Sequence, residues 1–324
     1  SVVREVRGHP HGREAHLVID TNGVLLDESV LRLVVENKMH LQVSLDGPQL
    51  YHDRQRPDVL GNGTYESIFK ALDRFLELEP GGHERLNFIC TVAPPADLME
   101  LDDFFGNFPL FARHGINSHP NLRINLANLH GQNWPATPDE FKALDDQVVD
   151  LREYYFQKIA EGKRKEIGPV VKAMVEPGLF SLHNRSKAPI GEKYSPGGNC
   201  KPGVRKLHVT VDGRLQPCER TGDFLVLGKV QNGIDPVAVT KLRDVFFNAV
   251  KDKCENCWAL RLCQVCYAGW AEYCGNEAKG TFFPEDVCNS VRSSLQLDME
   301  LLVRILELPP RCREYLDEAL TEQG

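Results

Sequence analysis

Eight of the ten cysteines (Cys200, Cys218, Cys254, Cys257, Cys263, Cys266, Cys274 and Cys288) fall within one stretch of a 324-residue chain. Thiolates are ligands for zinc and for iron–sulfur clusters. The densest part reads C-x2-C-x5-C-x2-C from Cys254 to Cys266. Two C-x2-C knuckles that fold onto one zinc ion usually have about 12–20 residues between them, so a gap of five residues is tight. An iron–sulfur cube is larger and accepts a compact loop plus a distant fourth ligand. Eight cysteines are also the complement of two four-ligand clusters. The spacing points to 4Fe–4S clusters, with structural zinc as the alternative. Cys90 and Cys312 lie outside the array, and Cys90 reads as a packed strand residue.

Disulfides suit short secreted chains. This chain is long and opens with no signal-peptide pattern, so a metal site in a reducing cytoplasm is the expectation. A net charge of −8 argues against nucleic acid as the main partner, because phosphate binding needs a basic surface. Hydrophobic content of 42% and charged content of 26% are those of an ordinary globular protein. No run of 18 or more apolar residues marks a membrane span.

The elements that must hold such a site alternate strand and helix through the first 130 residues. Strands are expected at 16–20 (HLVID), 41–45 (LQVSL), 86–92 (LNFICTV) and 122–126 (LRINL). The segment just after Ser1 also reads as strand-like. Between the strands, Asp27 caps a helix carrying Val30, Leu31, Val34 and Val35. Thr64 is expected to cap a second, with Ile68, Leu72, Phe75 and Leu76 on its apolar stripe, and 98–111 reads as loosely helical. Strand–helix alternation implies parallel strands with right-handed crossovers. Turn residues cluster after the strands, at Thr21-Asn22-Gly23, Ser44 to Gly47, and Asn125 to Asn128. In barrels and open sheets alike, ligands bind at that end. Thr137-Pro138-Asp139-Glu140 is a capping box that opens a long helix to about 161, followed by a helix at 169–182. The Pro/Gly-rich stretch 188–198 reads as a linker, Asp212-Gly213 as a hairpin turn, and 291–308 as a closing helix.

These residues carry a resemblance. Cys200-x12-Gly213-x4-Cys218, then C-x2-C-x5-C, then Cys288, resembles the SPASM domain of radical S-adenosylmethionine (SAM) enzymes, which holds two auxiliary 4Fe–4S clusters. D-T-N-G-V-L-L-D at 20–27, V-S-L-D-G-P at 43–48, and H-D-x-x-R with G-N-G-T at 52–64 resemble the middle of a radical SAM barrel of the peptide- and sulfatase-modifying branch. The likeness runs from about residue 15 to about residue 295.

The resemblance implies an α/β fold: an incomplete radical SAM (β/α) partial barrel with long helices at 1–187, a small Cys-rich SPASM domain with a β-hairpin and helices at 188–298, and a C-terminal helix or tail at 299–324. One cluster would take Cys254, Cys257, Cys263 and Cys288. The other would take Cys200, Cys218 and Cys266. The family spaces the last pair of the array by three residues and this chain by two, which makes Cys274 a competitor or a fourth ligand. Ser44 and Arg56 would contact the SAM methionine carboxylate, with Arg56 as a clamp. Thr21, Asn22 and Asp46 are further SAM-binding candidates, although their residue types alone only close turns. No catalytic residue is assigned.

The implied activity is that of a radical SAM peptide maturase that abstracts hydrogen from a ribosomally made peptide or protein. Thioether or carbon–carbon crosslinking is preferred, and sulfatase-type oxidation of a Cys or Ser comes next. A reductant such as flavodoxin or ferredoxin is expected as a partner. A non-catalytic iron–sulfur peptide-binding or electron-transfer module is the alternative from a different class. One departure stands out: the C-x3-C-x2-C loop and the Gly-Gly-Glu stretch of radical SAM enzymes are absent from the 324 residues. The likeness starts near the third strand of the barrel, so the chain is expected to be a fragment of a longer enzyme.

Overall fold

The structure is a computed structural model that describes residues 2–127, 136–185, 188, 202–204, 206–221, 225–263, 265–267 and 285–318. Helix α1 (Val2–Gly8) opens it. The strand expected there is corrected, because VVREVRG closes a helical turn despite its β-branched start. A four-stranded parallel sheet follows, in the order β1 (Val18–Thr21), β2 (His40–Ser44), β3 (Leu86–Val92), β4 (Asn121–Leu126). Alternation explains which face is covered: Leu41 and Val43 of β2, and Leu86, Phe88, Cys90 and Val92 of β3, are buried while their neighbours are half-exposed.

The crossover helices supply the other half of this core. Helix α2 (Glu28–Glu36) buries Leu31 and Val34, and its N-cap Asp27 accepts the Val30 N–H. After the short α3 (Gln49–Gln55), α4 (Tyr65–Leu78) buries Ile68, Leu72, Phe75 and Leu76. The segment 98–111 is two helices, α5 (Leu98–Gly106) and α6 (Pro109–Arg113), broken where Pro109 has no N–H to continue α5. Phe88 meets Phe108 edge-on at 5.1 Å between ring centroids, which locks β3 against this helical pair. The capping box forms at the head of α7 (Pro138–Ala160), with Thr137 and Glu140 bonding each other's backbone N–H. Helix α8 (Pro169–His183) has Pro177 inside it.

The chain packs as two compact units, 1–177 with 308–314 and 178–307 with 315–324. In the second unit, β5 (His208–Val209) and β6 (Arg214–Gln216) form the expected hairpin. Gly213 sits in its turn at φ +80°, a conformation that a side chain would strain. Strands β7 (Gly228–Lys229) and β8 (Gly233–Ile234) complete a small antiparallel sheet. Helix α9 (Pro236–Cys254) follows, capped by Asp235, and the helix Glu285–Leu306 comes after it. Leu225, Leu227, Leu242, Phe246, Val250 and Tyr267 make the local core, and Cys254 and Cys288 pack against it. Among the described residues, no helix is long and apolar enough to cross a membrane.

Candidate metal centre and strand-end site

Three segments bring four cysteines to one cavity. Cys254 ends α9, and the chain then coils tightly: the Cys257 N–H donates to the Cys254 carbonyl (3.1 Å), the Leu260 N–H to the Cys257 carbonyl (3.0 Å) and the Cys263 N–H to the Ala259 carbonyl (2.7 Å). Ala259 and Leu260 are buried and anchor this coil. Cys288 comes from the first turns of the helix Glu285–Leu306. Cys254, Cys257, Cys263 and Cys288 line a cavity of about 120 Å³, together with Lys253, Glu285 and Arg292.

Burial pushes the Cys254 thiol up to about 11, and the neighbouring Cys263, Cys288 and Cys257 push in the same direction. Burial likewise raises Cys263 and Cys288. Without a cation to share, these thiols hold their protons near neutrality, so a metal would enter by displacing them. Among the described residues, no three donor side chains close on a single point. Four thiols around a cavity are the donor set of a multi-atom cluster. A zinc ion, by contrast, needs every sulfur about 2.3 Å from one centre.

Cys218 follows β6, and its carbonyl accepts from the Thr221 N–H and hydroxyl (3.3 and 2.8 Å). Burial raises its thiol, and Cys266 is among the charges that add to the shift, so these two sulfurs are neighbours. Cys200 and Cys274 lie outside the described residues. Cys90 and Cys312 are buried packing residues.

In the first unit, the polar residues gather at the carboxyl ends of the parallel strands. Asp46, just beyond β2, is buried and accepts from Arg56 Nε (2.6 Å) and Nη2 (3.2 Å) and from the Thr91 N–H (2.8 Å). Arg56 Nη2 also reaches Thr91 Oγ1 at 3.5 Å. His52 closes the network from below. It is fully buried, its Nδ1 accepts the Asp46 N–H (3.2 Å), and its Nε2 lies 3.0 Å from Thr64 Oγ1. Thr64 Oγ1 in turn donates to the Arg56 carbonyl (2.7 Å). This pattern fixes the neutral tautomer with the proton on Nε2. Burial lowers the His52 pKa against the opposing pull of Asp46. Gly47 runs at φ +110°, and a Cβ there would collide with Leu101 Cδ2.

The expectation that Thr64 caps α4 through its side chain is corrected, because that hydroxyl is spent on Arg56 and His52. Asp53 Oδ1 accepts the Tyr65 N–H instead, at 2.8 Å. Thr21 Oγ1 accepts the Gly23 N–H and Asn22 Oδ1 the Val24 N–H, so both side chains close the turn after β1. Ser44 ends β2 opposite Ile89. Sequence reasoning missed His52 as the link between Asp46 and Arg56, although H-D-x-x-R contains it. It also missed the charged lining of the thiol cavity. Arg292 lies one turn beyond Cys288, a usable signal only once that segment is known to be helical.

No protein-family model matches the chain. Two curated relatives are similar, both named cysteine-type anaerobic sulfatase-maturating enzyme, from two strains of Clostridium perfringens. Each is 32% identical over 259 residues, covering 76% of this chain and 62% of the relative. The matched region thus spans less than two thirds of those proteins. Among solved structures, a histidine-tagged anSMEcpe with bound AdoMet matches 97% of this chain and 78% of its own, with a TM-score of 0.61 at 18% identity. "Native anSMEcpe with bound AdoMet and Kp18Cys peptide" matches 90% and 75%, with a TM-score of 0.54 at 17% identity. The chain therefore has the α/β fold of these structures, with a parallel sheet and a Cys-rich C-terminal region.

Proposed function

We propose that the chain works in a radical SAM enzyme of the sulfatase-maturating type, which oxidises a cysteine or serine within a peptide segment of a protein substrate. The carrying observation is that four cysteines from three segments line one cavity. The 32% identity to sulfatase-maturating enzymes supports this reading over the peptide crosslinking preferred from sequence.

Cys254, Cys257, Cys263 and Cys288 would hold one 4Fe–4S cluster, and their donor set and cavity fit it. Cys218 and Cys266, with Cys200 and Cys274 as the remaining candidates, would serve the second. When bound, SAM with its reducing cluster supplies one-electron hydrogen abstraction, and the auxiliary clusters supply an electron acceptor. The chain's own residues do the holding. Asp46 grips Arg56 by Nε and Nη2, which leaves Nη1 as the donor for a ligand carboxylate. Ser44, Thr21 and Asn22 stand at the same strand ends and would border that ligand. A peptide substrate and a flavodoxin- or ferredoxin-type reductant are the partners this chemistry requires. We place the barrel part at 1–187, the cluster domain at 188–298 and the tail at 299–324.

The test is anaerobic purification followed by iron, sulfide and zinc analysis. Two clusters predict roughly eight irons per chain, and Cys257→Ala should remove about four. A colourless protein with stoichiometric zinc would sink the cluster assignment. Mass spectrometry of a cysteine peptide incubated with SAM and dithionite then decides the substrate class: oxidation at the cysteine supports the proposal, and a thioether crosslink replaces it.

A further inference from the structure

The thiol cavity has a charged rim. Lys253 reaches it from α9 and Arg292 from the helix Glu285–Leu306, and Glu285 joins the two. Lys253 Nζ lies 3.0 Å from Glu285 Oε2, and Arg292 Nη2 lies 2.5 Å from Glu285 Oε1 and 2.6 Å from Asn289 Oδ1. Arg292 also hydrogen-bonds Cys257. Both cations are under a third exposed, so solvent screens them only in part. Two cations against one carboxylate leave this rim net positive beside four sulfurs.

Four thiolates around a 4Fe–4S core leave the assembly net negative, and one-electron reduction makes it more so. A fixed positive charge beside it therefore favours the reduced state, and a donor on a ligating sulfur acts in the same direction. We propose that Lys253 and Arg292, tied together by Glu285, set the reduction potential of the cluster held by Cys254, Cys257, Cys263 and Cys288, raising it so that this site readily takes an electron. The inference rests on the reading of that cavity as a cluster site. It assigns Lys253 and Arg292 as positioning residues that act through the cluster and not on substrate.

The experiment is anaerobic potentiometry of the iron-loaded chain, with dithionite as reductant and electron paramagnetic resonance as readout. The signal lost in Cys257→Ala identifies the cavity's own midpoint. Arg292→Leu is expected to disfavour reduction about tenfold, a downward shift of about 59 mV for a one-electron couple. Lys253→Met should move the midpoint in the same direction, Arg292→Lys by less, and Glu285→Gln upward. A merely structural role predicts loss of iron in all four variants and no such reversal of sign. If Arg292→Leu sheds iron, Lys253→Met and Glu285→Gln decide on their own. Unchanged midpoints at full iron and sulfide content overturn the inference while leaving the cluster in place. If Cys257→Ala alters neither iron content nor any signal, the cavity holds no cluster, and the underlying reading falls as well.

Discussion

Asp46 is a carboxylate whose side chain is 1% exposed, and three donors share its charge: Arg56 twice and the Thr91 N–H. A buried ion tolerates the loss of its partner poorly, because the remaining charge keeps its desolvation cost. Arg56→Leu should therefore lower stability by about 2–3 kcal/mol, below the full cost of a buried pair because the guanidinium is part-solvated. Adding Asp46→Asn should recover part of that loss. Urea unfolding of the two single variants and the double variant measures it, and strict additivity would show that the pair is not coupled.

His52 gives a second test at this scale. Burial holds its pKa below the ordinary 6.5, so between that value and the folded pKa the unfolded chain binds a proton that the native chain refuses. Stability is then complete above 6.5 and falls as pH drops through the window, by up to about 1.4 kcal/mol per pH unit. In His52→Asn this slope should flatten when unfolding midpoints are compared from pH 7 to 5.

Helix α4 shows how an element can be legible while its cap is not. Ile68, Leu72, Phe75 and Leu76 announce the helix by their spacing, and Thr64 stands where a cap belongs. The hydroxyl is taken by His52 and the Arg56 carbonyl, partners that only the folded loop supplies, and Asp53 caps from the preceding helix. Asp53→Ala should thus cost α4 about 1 kcal/mol, seen as faster amide exchange at Tyr65 and its neighbours. Thr64→Ser should leave both exchange and stability near wild type.

The same reasoning sorts the other elements. Strands β2 and β3 are readable from strict alternation, and α7 from its capping box. Helix α1 is not, because paired valines at its start favour extended backbone. Helix α9 carries Leu242, Phe246 and Val250 at four-residue spacing, a stripe overshadowed by the cysteines that follow it. The four cysteines of the cavity are grouped by resemblance, and the fold does bring them together. Their cationic lining needs tertiary structure, since Lys253 and Arg292 lie on different helices.

At the scale of the whole molecule, the two units have different sources of stability. Unit 1–177 buries a continuous apolar layer between a parallel sheet and its crossover helices. Unit 178–307 has only short strands and one small apolar cluster, and α9 and the helix Glu285–Leu306 each carry one of the outer cysteines of the cavity into it. A small core of this kind leans on cross-links, and ligation of a cluster that spans two helices adds directly to folding free energy. Iron removal should therefore act locally. Hydrogen exchange on the iron-loaded and the anaerobically chelated protein should show amides of α9 and Glu285–Leu306 losing protection by about tenfold or more. Amides of β2 and β3 should keep theirs, because their hydrogen bonds close within a sheet that needs no metal. Equal loss in both places would mean that the cluster stabilises the chain globally. No loss in either would mean that the cysteines fold their segment as packed thiols.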